Sequence, residues 1–306
     1  MKYIVKIKNL HKNYGETKAV QGLTFNIKEG EIFGFLGPNG AGKTSTIGCI
    51  TQLNKISSGS ITVDGFDVEK DYLEARKRIG LSQQEINLDP YFKVIDTLEY
   101  TAGYFGVPKK EARKKCKYYL KKFDLWDKRN DDTRKLSGGM KRKLSIIKAI
   151  LHDPKILILD EPTAGLDVDS RYELWEFIKE QNKKGTTIIL TTHYIEEAEQ
   201  LSDRIGIINK GKLLKLESKD KIVGDLSHNV ITITLKKEDA KTPKQLQKLD
   251  VQREGRLIKI KTTKKKQNKD LQKTLKILEN NNVKIESFDI KQDNLENIFR
   301  RIVKNE

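Results

Sequence analysis

Residues 37–44 read Gly37-Pro38-Asn39-Gly40-Ala41-Gly42-Lys43-Thr44, with Ser45 next, and they fit the phosphate-binding pattern G-x-x-x-x-G-K-[ST]. The flanks agree with that reading. Ile32-Phe33-Gly34-Phe35-Leu36 is an apolar run of the kind that forms a buried strand, and Ile47, Ile50 and Leu53 recur at helical spacing, which predicts a helix starting near Lys43. Each residue type has a physical task. Glycines let the backbone wrap an anion with its N–H groups pointing inward. The helix start adds partial positive charge beneath that anion. Lys43 would reach the β- and γ-phosphates, and Thr44 would offer its hydroxyl to Mg²⁺. A strand, a glycine loop and a helix in this order predict a nucleoside triphosphate site.

Composition sets the outer limits. The 306 residues suffice for one large domain and a small one, and 36% hydrophobic with 34% charged residues suits a cored protein with a charged skin. No run of eighteen apolar residues occurs, so no membrane span is expected, and MKYIVKIKNL lacks the apolar centre of a signal peptide. Cys49 and Cys116 have no metal spacing and read as ordinary thiols in a reducing compartment. The formal charge is +17, and from Asp225 onward 20 Lys and Arg face 12 Asp and Glu. Lysine-rich solvation explains this first, attraction to anionic lipid second, and specific nucleic-acid binding third.

Outward from the loop, strands and helices alternate. Tyr3–Lys8 and Leu23, Phe25 and Ile27 alternate as strands around a turn at Asn13–Glu16, and Ile61-Thr62-Val63 precedes the hairpin turn Asp64-Gly65. Residues 70–80 look helical and lead to Ile79–Gln84. From about 85 to 150 helices dominate. Ala112, Cys116, Tyr119, Leu120 and Phe123 line one helical face behind Pro108, expected in the first turn, and Leu144, Ile147 and Leu151 line another. Ser137 can cap that second helix, and Gly138 and Gly139 leave its N–H groups open to an anion. The strand Ile156–Leu159 runs into Asp160-Glu161-Pro162. A further helix is expected to start with a Ser170–Glu173 capping box and to end at Gly185, and Thr186–Thr191 is another buried strand ahead of His193. This order predicts a mostly parallel sheet with its ligand at the strands' C-terminal ends. Residues 225–306 change character: strands at 230–235, 257–261 and 283–290, a helix through Leu271, Leu275 and Leu278, an exposed loop over Lys264–Lys269, and a last helix capped by Asp293 with Leu295, Ile298, Phe299 and Ile302 on one face. The expectation is a domain at 1–224 joined near Gly224 to a small α+β domain at 225–306.

Asp160, at the end of an apolar strand, is the expected second handle on Mg²⁺, through water and opposite Thr44. Glu161 can orient and partly deprotonate a water in line with the γ-phosphoryl group, help typically worth roughly 10²–10⁴ in rate. His193 can approach the γ-phosphate from the sheet edge.

With these residues in order, the chain resembles the nucleotide-binding subunit of an ATP-binding cassette (ABC) transporter over about residues 1–220. GPNGAGKT is similar to the Walker A loop, Ile156–Asp160 with Glu161 to Walker B and its catalytic glutamate, LSGGM at 136–140 to the family signature, Ala164–Asp167 to the D-loop, and His193 to the H-loop. The resemblance implies a P-loop NTPase α/β cassette: a mostly parallel sheet, an antiparallel β subdomain, and a helical subdomain at about 85–150. It implies that Gln84 serves as the Q-loop ligand of Mg²⁺ and water, that Tyr14 stacks on adenine, and that Val20 flanks the nucleoside. It also implies that ATP is held between two head-to-tail cassettes, so that Ser137, Gly138 and Gly139 meet the nucleotide of the other copy, whether a second copy of this chain or a paralogous cassette, and that Asp167 of the D-loop is a nucleotide-binding residue. Met140 stands where many members have glutamine, a variant associated with exporters whose membrane subunits are separate chains. The C-terminal domain is similar to the extension found on ATPases of drug, lipid or antibiotic exporters, and reads as a dimerisation or stabilising module. The implied protein is an ATPase, peripheral on the cytoplasmic face of the membrane, that drives a separately encoded transmembrane permease. A soluble ABC ATPase acting on ribosomes or nucleic acid is the alternative; a regulator without turnover conflicts with an intact Glu161 and His193.

Overall fold

The computed structural model describes residues 2–226, 228–237, 243, 246, 251–263, 266–291 and 295–304. The chain divides into two units, Met1–Leu216 and Glu217–Glu306. Gly224, at the boundary expected from sequence, lies inside the helix Lys219–Leu226.

The first unit opens with β1 (Tyr3–Tyr14) and β2 (Thr17–Lys28), an antiparallel pair twelve residues long on each side. Both strands run further than alternation suggests, because register shifts between Ile7 and Leu10 and beyond break the period of two. β3 (Ile32–Leu36) follows, fully buried, and α1 (Lys43–Ile50) starts where predicted. Leu53 does not continue the face of α1. The helix stops at Thr51, Gln52 turns left-handed at φ +57°, and Leu53 is exposed. β4 (Ser58–Val63) and β5 (Phe66–Asp67) form the expected hairpin, with φ +48° at Asp64 and +90° at Gly65, the signs a two-residue mirror-image turn needs.

After α2 (Tyr72–Lys77) and β6 (Ile79–Ser82) comes the helical region: α3 (Val94–Tyr104), α4 (Lys109–Lys122) and α5 (Gly138–Ile150). Ala112, Cys116, Leu120 and Phe123 of the α4 segment are buried as their spacing requires. Pro108 occupies the N-cap position of α4, one residue before the first turn where it was expected. β7 (Ile156–Asp160), α6 (Val168–Lys183), β8 (Thr187–Thr192), α7 (Ile195–Leu201), β9 (Arg204–Asn209) and β10 (Lys212–Ser218) complete the unit. The cap of α6 differs from expectation: Asp167 Oδ1 accepts the Ser170 N–H at 2.9 Å, so Asp167, three residues earlier, does the work expected of Ser170.

Three layers result. A sheet ordered β2-β1-β4-β5 is antiparallel; a second ordered β10-β9-β3-β8-β7-β6 is parallel from β9 through β6. One core lies between these sheets around Phe25, Phe33 and Phe35, and another packs α3–α6 on the far face of the parallel sheet. Cys49 and Cys116 are interior thiols; burial pushes them up to about 11 and about 12, so both stay protonated and inert.

The second unit contains α8 (Lys219–Leu226), β11 (His228–Leu235), β12 (Val251–Glu254), β13 (Leu257–Thr263), α9 (Gln267–Asn280), β14 (Ile285–Lys291) and α10 (Leu295–Lys304). Its antiparallel sheet is ordered β12-β13-β11-β14, with Ile231, Ile233, Ile258, Ile260 and Leu278 fully buried. β12 was not anticipated, since four residues with one apolar side chain carry little periodicity. The tract expected as a loop is helical from Gln267, its first turn closed by the Asp270 N–H donating to the Lys266 carbonyl at 2.8 Å; Lys264, Lys265 and the expected cap Asp293 lie outside the described residues. On α10, Leu295 and Ile298 are fully buried and Phe299 and Ile302 only partly.

Candidate functional site

β3, β8 and β7 are parallel neighbours, so their C-terminal ends open on one edge of the sheet. That edge carries the glycine loop after β3, Asp160 and Glu161 at the end of β7, and His193 after β8. Proximity among them follows from strand order alone.

The loop is shaped by its glycines. A Cβ on Gly37 would fall 2.4 Å from the Ile208 carbonyl, and one on Gly42, held at φ +102°, 2.4 Å from the Ala19 carbonyl. Either would push the cradle open. Lys43 is buried, its Nζ donating to the Gly37 carbonyl at 2.8 Å and the Pro38 carbonyl at 3.1 Å, and lying 3.7 Å from Glu161 Oε1. Burial holds the Lys43 ammonium below its usual range, opposed by the charges of Glu161 and Asp160. Among the described residues, α1 and α5 alone of the α-helices carry no acidic residue in the first turn, so both N-termini keep their positive ends uncompensated.

Glu161 is the centre of the site. It is 5% exposed and holds φ +49°, a left-handed conformation that is costly for a residue with a side chain. Its N–H donates to the Thr191 carbonyl and hydroxyl, both at 3.1 Å, and the Thr191 hydroxyl donates in turn to Asp160 Oδ1. β8 therefore fixes both acids through one threonine. Gln84 Nε2 donates to Glu161 Oε2 at 3.2 Å. His193 Nδ1 lies 3.1 Å from Glu161 Oε1, but off the direction of a hydrogen bond, leaving that nitrogen without an aligned partner among the described residues. Three polar side chains from three segments thus converge on one carboxylate.

A cleft of about 510 Å³ opens beside this cluster, lined by Tyr14, Lys18, Asn39, Gly40, Ala41, Gly42, Lys43, Thr44, Ser45, Gln84, Glu161 and Lys210. Tyr14 is 46% exposed, with Lys12 Nζ 4.5 Å from its ring centroid. The other expected residues are not in it. Val20 is fully buried in the core, its place on the wall taken by Lys18 and Ala19. Gly37, Pro38, Asp160 and His193 border the cluster without lining the cleft, and Ser137, Gly138, Gly139 and Asp167 also lie outside the lining. Ser137 does cap α5, accepting the Met140 N–H at 3.2 Å, and a Cβ on Gly138 would meet nothing within 4 Å.

Sequence reasoning missed Thr191, Lys18, Lys210 and Arg142. The first is hidden in a buried β-run, and the lysines among many. Arg142 Nη1 and Nη2 bind the carbonyls of Gln83 and Gln84, a contact 58–59 residues away in sequence that no local pattern signals.

The donor set suits a hard cation bound with a phosphate. A hydroxyl at Thr44, a carboxylate at Asp160 and an amide oxygen at Gln84 are oxygen ligands, and Mg²⁺ takes one or two carboxylates alongside phosphate and water. The described residues contain no group of three or more His, Cys, Asp and Glu that could hold a metal ion.

Residues 20–164 match the family model described as ABC transporter. Over 228 residues the chain is 40% identical to the linearmycin resistance ATP-binding protein LnrL of Bacillus subtilis (strain 168), covering 74% of this chain and 73% of that protein. This chain belongs to the ABC transporter family. The Nod factor export ATP-binding protein I of Ralstonia nicotianae is 38% identical over 229 residues, 75% of this chain and 69% of that protein. Among solved structures, a dimeric ATP-binding cassette in a post-hydrolysis state, bound to ADP and Pi, superposes with TM-score 0.66 at 29% identity, covering 70% of this chain and 98% of that one. The cassette fold expected from the sequence is the fold observed, and the enzyme is an ABC-family ATPase that binds ATP.

Proposed function

We propose that this ABC ATPase powers a separately encoded transmembrane permease of the exporter class, working as a head-to-tail pair of cassettes with one Mg-ATP at each shared site. The observation that carries the reading is the convergence of Lys43, Gln84 and His193 on the buried, left-handed Glu161. In this reading Lys43 and the loop N–H groups from Asn39 to Ser45 hold the phosphates, Gly37 and Pro38 shape the loop, and Tyr14 stacks on adenine. Thr44, Asp160 and Gln84 hold Mg²⁺, which neutralises charge on the phosphates. Glu161 orients and deprotonates the attacking water, and His193 donates to the γ-phosphate. Ser137, Gly138, Gly139 and Asp167 complete the site of the other copy. The acid-free start of α5 and the open space around Gly138 support that assignment.

The names of two relatives, one for antibiotic resistance and one for export, favour export over import. Docking to a permease is supported by a groove of about 680 Å³ lined by Tyr72, Leu73, Tyr104, Phe105, Arg76 and Lys148, whose exposed aromatic and aliphatic side chains need cover. No described helix is long and apolar enough to cross a membrane, so a permease chain would supply the spans and seat this subunit on the cytoplasmic face. We also assign the cassette expected over 1–224 to the unit Met1–Leu216, and the small α+β domain expected over 225–306 to Glu217–Glu306, which includes all of α8; this second domain supports assembly, since its sheet and α9 close a core of their own.

Glu161→Gln tests the site. ATP binding should persist while hydrolysis falls by about 10²–10⁴, the scale of lost general-base help, and sedimentation should show an ATP-dependent dimer. Near-normal turnover would remove Glu161 from this role. Sedimentation of the same variant without residues 217–306 tests the second unit: an undiminished dimer would refute its part in assembly.

A further inference from the structure

We propose that Arg142 is a positioning residue for hydrolysis: from the second turn of α5 it clamps the two backbone carbonyls that set Gln84 against Glu161. The proposal rests on the roles given above to Gln84 and Glu161.

β6 ends at Ser82 and is the edge strand of its sheet, so Gln83 and Gln84 leave the sheet with no regular ladder to hold them. Their carbonyls are instead bound by Arg142 Nη1 at 2.6 Å and Nη2 at 2.7 Å, and the adjoining Gln84 side chain reaches Glu161 Oε2. A planar guanidinium presents diverging donors at a fixed angle, which lets one side chain fix two acceptors. Ser145, three residues on and so on the same helical face, adds a second strut: its hydroxyl lies 3.0 Å from that of Ser82.

The energetics point the same way. Arg142 is 4% exposed, its Nε has no hydrogen-bond partner, and no ion pair involves it among the described residues. An interior charge without a paired carboxylate is expensive to keep. A purely structural strap between α5 and β6 would not need that charge there. The geometry couples the helix that begins at Gly138–Gly139 to the amide that touches Glu161, two features handled as separate motifs in the sequence.

The test is a double-mutant cycle on the full-length chain with Mg-ATP, comparing wild type, Arg142→Lys, Gln84→Ala and the pair. A flexible point ammonium lacks the rigid planar fork that fixes both carbonyls at once, so R142K should lower kcat by about 10- to 100-fold, as small misplacements of a reacting group do. KM and equilibrium ATP affinity should move by no more than about twofold. In the Q84A background the same change should cost little further, because the group it positions is gone. Equal losses in both backgrounds, or an unchanged kcat in R142K, would overturn the clamp. Wild-type kcat in Q84A would instead refute Gln84's own role, a separately visible result. Circular dichroism reports folding. If R142K does not fold, R142Q keeps a planar donor and enters the same cycle, and wild-type kcat in folded R142Q also overturns the proposal.

Discussion

Two glycine-marked helix starts in this cassette look alike in sequence and differ in the fold. At α1 the glycines are mechanically required: Gly42 sits at φ +102° with no room for a Cβ, and Lys43 is buried against the loop carbonyls and Glu161. At α5, Gly138 has open space around it, Ser137 is exposed, and the cap is an ordinary serine cap. Both lack first-turn acids. The first start is therefore part of a site assembled within the chain, whereas the second is an uncrowded, acid-free end that the proposed shared site would fill from the other copy. A glycine explained by its own backbone reports on folding; one that nothing local explains reports on what must come close.

The comparison breaks most sharply through complementation. Lys43→Ala should lower ATP hydrolysis by about 10²–10³, the scale of losing one preorganised charge on the transferring group, and should weaken nucleotide binding. Ser137→Arg should abolish hydrolysis comparably while leaving binding by its own loop intact. A mixture should regain part of the activity, because one site then takes its loop from the Ser137→Arg copy and its signature from the Lys43→Ala copy. No recovery, with subunit exchange confirmed, would break the contrast. A steady-state ATPase titration of one variant into the other reads it.

Smaller changes sharpen the contrast. Gly42→Ala forces a residue with a side chain into strained backbone against Ala19 and should destabilise the fold by about 1–3 kcal/mol, visible as a lowered melting temperature. Gly138→Ala should hold or slightly raise that temperature, since alanine exceeds glycine in helices by up to about 1 kcal/mol, yet it should lose hydrolysis if a phosphate approaches that backbone. A Gly138→Ala enzyme at full rate would leave the second glycine without the role assigned here.

The smallest effect is on pH. Lys43 has its pKa lowered by burial, so between that value and the unfolded value of 10.5 the unfolded chain binds more protons. Stability of the nucleotide-free protein should accordingly gain a rising contribution as pH climbs through that window, and Lys43→Met should flatten it. Chemical denaturation at several alkaline pH values measures the slope. Identical slopes in both proteins would mean Lys43 is not held as described.

Much of the cleft was legible because its parts are local. GPNGAGKT, Asp160-Glu161 and Gln84 each sit at a strand end, and parallel order brings strand ends together. Less local features were misread. The strands β1 and β2 run past their visible alternation because bulges shift the register. Ser170 was expected to cap α6, but Asp167 reaches the open N–H first. Val20 points into the core because its strand register turns Lys18 and Ala19 toward the cleft instead.

Alone, the sequence determined that the chain folds as an α/β cassette around a phosphate loop, since glycine spacing, apolar strand runs and helical periodicity are short-range properties written in neighbouring residues. Only the tertiary structure decided how the acids are held. Thr191 joins Asp160 to Glu161 across two strands, Glu161 takes a left-handed backbone, and Arg142 reaches back to Gln83 and Gln84. Such contacts depend on which strands lie side by side and which helix crosses them. That is a property of packing between distant segments, and no window of sequence contains both partners.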